Sequence, residues 1–499
     1  VSVDPSFPNT TVIGGQKNGR GGVRFRLFPS MVGRLAPGSG LGPAHSATYT
    51  KDYPRDAHDI FDDIIGMRTA AGHGNVPAMA EYLADLFRKG GFDAEDIHIV
   101  PHTVETGEQV ASLVVRYRGN GLANRKPVLL LAHMDVVDAI RSDWVRDPYT
   151  LIEEDGFFFG RGTRDNKTGV AMLTATFLRL QRENFTPTRD FIIAFTGDEE
   201  TTMETIRSLV TEHRALVDAE YVLNTDAGGG YRDHDHDPVA YLLQAAEKTY
   251  VTYELTIRNP GGHSSRPRAD NAIYELATVL KNIEAYRFPI RTNEISLGYF
   301  REMSTLVDGE LGAAMAEFAR DPGNADAQAV LEASPGEVGA TRTTCVATML
   351  SAGHAENALP QTATATVNCR VFPGVPATEV QAQLMQAAGN PALEVNVVYE
   401  PMEGPMSQLQ EAVTATVGNA ANAFHGTVPL VPYMAAGATD SLHTRLAGMP
   451  SYGVMGLFMR QEDIFSHGLN ERVPVDSFYL ALEYWHQILT ELGSERAAR

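Results

Sequence analysis

Five residues of types that bind metal stand at or just after apolar segments of this chain: His133, Asp165, Glu200, Asp226 and His467. His133 and Asp135 follow "VLLLA", and Asp165 sits in the Gly-rich stretch "GRGTRDNKTG". Glu199 and Glu200 follow "FIIAFTGD", and Asp226 ends "YVLNTD". His467 lies in "FSHGLNERV", soon after "SYGVMGLF". Imidazole nitrogen and carboxylate oxygen are the donors that zinc accepts. Two divalent ions about 3.5–4 Å apart need a shared ligand to offset their repulsion. Asp165 is short, loop-borne and central in order, so it is the natural bridge. His133 and Asp226 would complete one ion, Glu200 and His467 the other. The expected cofactor is therefore a pair of zinc ions, with cobalt or manganese as alternatives.

Two neighbours could supply the chemistry. Asp135 is two residues beyond His133, on the same side of a strand-like segment. A carboxylate there can accept the second ring N–H of a metal-bound histidine and fix its tautomer. Adjacent Glu199 and Glu200 point apart, so one binds metal and the other is free to handle protons. Glu199 is assigned as general base: it takes a proton from a water whose pKa the metals lower, and delivers it to a leaving nitrogen. Each residue alone has a plainer reading, a core histidine or a solvated acidic turn. The Gly-rich stretch has neither the GxGxxG nor the GxxxxGK[ST] phosphate-binding spacing. "RDHDHD" (232–237) reads as a solvated loop.

The elements that must position these residues are legible in outline. Residues 1–55 are rich in Gly and Pro and read as an irregular extension. From Asp56, "DAHDIFDDIIGMR" and "VPAMAEYLADLFRKGGF" have helical periodicity, the second stopping at Gly90–Gly91. Short apolar runs then alternate with helices through residue 246. Unbroken runs such as Val128–Ala132 suit strands buried on both faces, which implies an α/β domain with a mainly parallel sheet and helices on both faces. In such sheets ligands bind at the carboxyl ends of the strands, where the five residues fall. Residues 247–402 interleave strands and helices around an adjacent strand pair, as an inserted α+β module does. Residues 403–499 return to the first style. The expected organisation is a catalytic domain, 56–246 and 403–499, interrupted by an inserted module, 247–402.

Composition bounds the partners. The 499 residues carry 43% hydrophobic content, enough for more than one domain. A formal net charge of −21 disfavours nucleic acid as a partner. Cys345 and Cys369 lack metal-ligand spacing, and both lie in apolar strand-like segments, which reads as two buried thiols. No run of 18 apolar residues is present, so no membrane-spanning helix is expected. The first residue is Val1, not Met, which leaves a removed export signal open. The compartment stays undecided between periplasmic or secreted and cytoplasmic.

The motifs "LLLAHMDVVDA", "DGFFFGRGTRDNKTG", "GDEE", "NPGGHSSRP", "HAENALPQTATATVNCRVFPG" and "SHGLNERV" run in order over roughly residues 56 to 490. They resemble the dinuclear zinc exopeptidases and deacylases that include carboxypeptidase G, carboxypeptidase S, acetylornithine deacetylase, succinyl-diaminopimelate desuccinylase and aminoacylase. The style is most similar to the carboxypeptidase S-like branch. The resemblance implies the same five ligands and the same roles for Asp135 and Glu199. It implies that the inserted module is a ferredoxin-like lid and dimerisation domain, so that a homodimer is expected through it. It also implies that His263 stabilises the tetrahedral oxyanion, often across from a partner subunit. Asn357 and Arg370 match positions that grip a substrate carboxylate, and Gly437 and Thr439 belong to a Gly-Thr-Asp loop lining the cleft. Arg offers a planar fork suited to that carboxylate. The chain departs from the family at Thr225, where relatives often carry a glutamate ligand, at Asn166, commonly a second acid, and in "TTMETIRSLV" after the glutamate pair.

Three functions compete at this stage. The first is a metal-dependent carboxypeptidase, dipeptidase or amidohydrolase acting on a small peptide or N-acyl amino acid with a free carboxylate. The second is a dinuclear zinc aminopeptidase, a class that usually lacks the inserted module and the GGHSS turn. The third is a non-catalytic binding protein on the same fold, which loss of a ligand or of Glu199 would signal.

Overall fold

The structure, a computed structural model, describes residues 53–494. The expected extension, residues 1–55, lies outside the described residues except for its last three, which begin the first helix, Tyr53–Ile65.

One sheet of ten strands forms the body. At its heart Val128–His133 runs parallel to Phe191–Thr196 on one side and to Tyr221–Asn224 on the other. Ser451–Gly453 continues the parallel set beyond Tyr221–Asn224. Val128–His133 and Phe191–Thr196 are buried at every position, as their unbroken apolar sequences require. Toward one edge the sheet turns antiparallel: Gln109–Tyr117 pairs with Phe191–Thr196, and Ile97–Thr103 pairs with Gln109–Tyr117. On the other side Pro238–Glu247 pairs parallel with Leu430–Ala435 and antiparallel with Gly229–Arg232.

Helices cover both faces. Tyr53–Ile65, Val76–Lys89, Lys167–Arg182 and Val475–Leu492 contribute to one large core, with Phe61, Phe87, Phe177 and Trp485 sealed inside it. Glu204–Thr211 contributes Ile206, Leu209 and Val210 to a separate cluster with Leu129, Leu131 and Ile192, whose side chains alternate to the opposite face. Lys167 is fully buried at the start of its helix. Its ammonium donates to the carbonyls of Ile64 (2.8 Å) and Met67 (2.5 Å), closing the end of the first helix.

A second sheet has four antiparallel strands in the order Thr344–Ala352, Thr362–Val371, Thr249–Arg258, Glu394–Val397. Helices Ala272–Ala285 and Ala377–Ala388 pack on it around Leu276, Val279, Val380 and Leu384. The chain order is strand, helix, strand, strand, helix, strand, the ferredoxin-like arrangement. The Thr362–Val371 strand alternates strictly between buried and half-buried positions, one face on the helices and one toward solvent.

Between Ala285 and Thr344 the chain makes a helical excursion. It holds Glu294–Met303 as well as Gly309–Arg320 and Ala325–Glu332, with its own small core of Phe300, Met315, Phe318 and Leu331. The sequence predicts helix only for the 309–333 part. Helix Glu294–Met303 lies against the body: Ile295 belongs to the large core, and a side chain at Gly298 would meet Pro432 at 2.9 Å.

The two cysteines are not free thiols. Cys345 and Cys369 face each other across neighbouring strands and form a disulfide. Each looks like an ordinary buried residue in sequence; only the strand register brings their Cα atoms to 4.1 Å.

Candidate metal centre

The five candidate ligands converge at the carboxyl ends of the parallel strands. His133 is the last residue of its strand and is 1% exposed. Its Nε2 lies 3.0 Å from Asp165 and 3.5 Å from Asp226. His467 Nε2 lies 2.9 Å from Glu200 and 3.3 Å from the other oxygen of Asp165. Two three-residue sets result, His133–Asp165–Asp226 and Asp165–Glu200–His467, each with ligand atoms within 4.8 Å of one another. Asp165 is common to both and offers a different oxygen to each histidine. His133, Glu199 and Glu200 form a third such set.

Among the protein's own groups the cluster distributes protons unusually. Burial, with the charge of Asp165 beside it, pushes the Asp226 carboxyl up to about 7. Burial, with Asp226 nearby, holds Glu199 well above the ordinary carboxylate range. Hydrogen bonding to Asp165 and Glu200 lifts the His467 imidazole to about 10. For Asp165 burial acts upward, but hydrogen bonds with His133 and His467 outweigh it and keep it ionised. Four carboxylates thus crowd two imidazoles, with His133 buried and His467 half exposed. Such a concentration of negative charge needs cations to be stable. The donor types fit zinc, and a carboxylate between the two sets is what a pair of ions demands.

The loops carrying these residues are held from behind. Asp135 turns its carboxylate to the backbone N–H groups of Glu199 (3.2 Å) and Glu200 (3.0 Å). The Nδ1 of His133 is bonded to the Asp135 carbonyl at 3.0 Å, with the carboxylate at 3.4 Å. Asp198 accepts from the backbone of Glu204 and Thr205 and from the Thr202 and Thr205 hydroxyls, fixing the turn after the glutamate pair. The Glu199 carboxylate itself takes no hydrogen bond from another described residue, and it faces the cluster.

Sequence reasoning did not single out Glu471, yet it joins the two halves of the site. Its buried carboxylate accepts from the N–H groups of Arg164 (2.7 Å) and Asp165 (3.0 Å) and from Arg161 Nη1 (2.7 Å). Arg161 in turn donates from Nη2 to the carbonyl of His467 at 3.1 Å. His467 sits at φ +63, a region non-glycine residues seldom occupy, and this bond helps hold it there. The signal was present in "SHGLNERV" and "GRGTRDNKTG", but nothing local distinguishes a tethering acid from a solvated one.

Two of the three departures from the family pattern meet each other. Asn166 donates to the Thr225 carbonyl at 3.0 Å, and the Thr225 hydroxyl donates to Asn166 Oδ1 at 2.8 Å. A side chain at Gly169 would stand 2.1 Å from the Thr225 hydroxyl, so only glycine fits beside this buried neutral pair.

The residues expected to contact substrate fall in three separate places. Arg370 donates to the Ala436 carbonyl at 2.8 Å and stacks its guanidinium 4.6 Å from the Tyr250 ring centroid. Gly437 is exposed next to it. Thr439 is buried instead, its hydroxyl donating to Glu247 at 2.6 Å. His263 and Asn357 are exposed on a small ribbon in which Gly262–His263 pairs with Ala358–Leu359. Among the described residues no hydrogen bond or ion pair links His263 or Asn357 to the metal-ligand cluster. The "RDHDHD" loop contributes to no metal-ligand group among the described residues.

Residues 129–491 match the model of peptidase family M20/M25/M40, and the chain belongs to that family. It is a family of metal-dependent hydrolases acting on peptides or N-acyl amino acids. Among curated proteins, the N-fatty-acyl-amino acid synthase/hydrolase PM20D1 of Xenopus tropicalis is 29% identical over 375 residues, covering 73% of this chain and 72% of that one. Among solved structures, the M20 family metallo-carboxypeptidase Sso-CP2 from Sulfolobus solfataricus matches with a TM-score of 0.64 at 18% identity, covering 88% of this chain and 99% of the other. The aminopeptidase PepT from Bacillus cereus matches with a TM-score of 0.60 at 16% identity, covering 88% and 98%. At these identities the two structures speak for the fold.

Proposed function

We propose that this enzyme hydrolyses an amide or peptide bond next to a free carboxylate in a small peptide or N-acyl amino acid. The observation that carries the reading is the pair of three-ligand sets sharing Asp165. His133, Asp165 and Asp226 would hold one divalent cation, and Asp165, Glu200 and His467 the other, zinc being the metal the donors suit best. Bound there, the cations would polarise the substrate carbonyl and acidify a water. Glu199, its backbone N–H held by Asp135 and its carboxylate free of hydrogen bonds from other described residues, takes a proton from the attacking water and passes it to the leaving nitrogen. Asp135 orients His133 and the glutamate pair. Arg370, beside the loop at Gly437 and Thr439, receives the substrate carboxylate, and Asn357, on the ribbon with His263, joins it from a partner copy.

Residues 56–246 and 403–499 serve as the catalytic domain, and 247–402 as its lid. His263 on the exposed ribbon contributes the oxyanion contact from a partner copy. Support for a homodimer through the lid comes from the edge strand Thr344–Ala352, which exposes Val346, Met349 and Leu350 with a backbone edge unpaired among the described residues. The inserted module does not by itself separate this reading from an aminopeptidase, because the PepT structure matches over 88% of this chain. Arg370 at the cleft favours a carboxylate-bearing substrate.

The test is a panel of dipeptides and N-acyl amino acids, each with its carboxylate free or blocked, run with defined Zn²⁺. Free carboxylates should be cleaved and blocked ones not. Chelation should abolish turnover and added Zn²⁺ restore it. Equal cleavage of blocked substrates, or indifference to chelation, would refute the proposal.

A further inference from the structure

The stretch after the glutamate pair that departs from the family pattern, Thr201 to Met203, forms one wall of a cleft of about 480 Å³. This volume lies within the roughly 300–1,000 Å³ of small-molecule sites. The opposite walls come from both crossings into the second sheet, at Tyr250 and at Tyr399 and Met402, and from Ala438 and Leu442 after the strand Leu430–Ala435. The cleft therefore adjoins the metal-ligand cluster through the Thr201–Met203 wall, which follows Glu200 after the strand Phe191–Thr196. Met203 is held at φ +52 by its N–H bond to the Asp198 carbonyl, a backbone state that a non-glycine residue keeps only when its surroundings impose it.

Three of the four charged residues lining this cleft are buried and spent elsewhere. The Lys248 ammonium is buried and donates to the carbonyls of Gly339 (3.0 Å) and Arg342 (2.8 Å). Arg445 is paired with Glu247, with side chains 2% and 3% exposed. Besides Thr201, Thr202 and one acid, what remains open is chiefly apolar or aromatic surface: Tyr250 is 50% exposed, Tyr399 72% and Met402 41%, a cluster unusual for residues of this kind. Glu400, also exposed, adds a negative charge that disfavours an acidic occupant.

We propose that this cleft receives the side chain of the amino acid released by hydrolysis, and that it selects large apolar or aromatic side chains. The inference rests on the proposed amidohydrolase activity. The position decides the occupant. Tyr250 lies under the Arg370 guanidinium that takes the substrate carboxylate, and Ala438 is in the loop whose Ala436 carbonyl Arg370 touches. Thr201 follows Glu200 directly. A group attached between the carboxylate and the scissile nitrogen is the one placed to enter.

The experiment holds the acyl group constant and varies the released residue from glycine through alanine and valine to leucine and phenylalanine. kcat/KM should rise about fourfold per buried methylene until the cleft is filled. Tyr399→Ala and Met402→Trp, both at exposed positions, should each lower the ratio of leucine- to glycine-releasing rates, Met402→Trp by tenfold or more. A ratio near one in the wild type, or one that survives both substitutions, overturns the proposal. So does a profile in which both substitutions instead change the dependence on acyl-chain length. Complete absence of hydrolysis would count against the activity itself. The cleft is then read separately by thermal shift of Glu199→Gln protein with N-acetyl-L-phenylalanine and N-acetylglycine. Stabilisation by the first alone, lost in Met402→Trp, supports the cleft, and equal stabilisation by both refutes it.

Discussion

At the scale of single residues, the site depends on a division of labour between neighbours. Glu199 and Glu200 are adjacent, yet Glu200 meets His467 at 2.9 Å while the Glu199 carboxylate stays unbonded. Glu199→Gln should therefore leave fold and metal content intact and lower kcat by about 10²–10⁴-fold. Elemental analysis and single-turnover rates check this, and near-normal turnover would remove Glu199 from the base role. The residues that converge were readable in sequence because their types are chemically selective and each follows an apolar segment. Glu471 was not. Its partner Arg161 is 310 residues away, and a buried acid and a solvated acid look alike in a sequence.

At the scale of elements, the loops bearing Asp165 and His467 are set by the Arg161–Glu471 pair, whose side chains are 3% and 0% exposed. Removing one partner of such a pair leaves a buried charge and costs about 3–5 kcal/mol. Glu471→Ala should lower stability by that amount in denaturant titrations and weaken binding of the cation assigned to Asp165, Glu200 and His467. Glu471→Gln, which can still accept from Arg164 and Asp165, should recover part of both; no recovery would mean that the loop does not depend on these bonds. A second element carries a pH signature. His425, in the last turn of helix Glu411–His425, stacks on Phe458 with ring centroids 3.6 Å apart. Burial, helped by the Arg232 charge, lowers its imidazole to about 4. The unfolded chain then binds the proton more readily, so stability is full above about 6.5 and declines as pH falls toward 4. His425→Phe should flatten that part of the stability profile. A slope unchanged by the substitution would assign it to other groups.

At the scale of the whole molecule, the second sheet is anchored rather than loosely tethered. Helix Glu294–Met303 places Ile295 in the body's core, and Lys248 at the first crossing bonds carbonyls of the helical excursion. The ribbon with His263 points to solvent, so the proposed oxyanion contact would need a second copy. Sedimentation should report a dimer. Mixing His263→Ala with Glu199→Gln protein should restore part of the activity that each lacks alone, through mixed dimers with one intact site. A monomer, or no recovery on mixing, would argue for a different oxyanion contact.

The α/β class, the inserted α+β module and the five residues that converge could be read from the sequence, because burial on both faces, strand–helix alternation and donor chemistry leave local marks; the ferredoxin-like order of the module came from the family resemblance. The Cys345–Cys369 bond could not, since pairing depends on the register between Thr344–Ala352 and Thr362–Val371. The meeting of Asn166 with Thr225, the tether at Glu471 and the cleft beside Met203 were likewise decided only by folding. Each joins residues distant in the chain, and only packing determines which distant residues become neighbours.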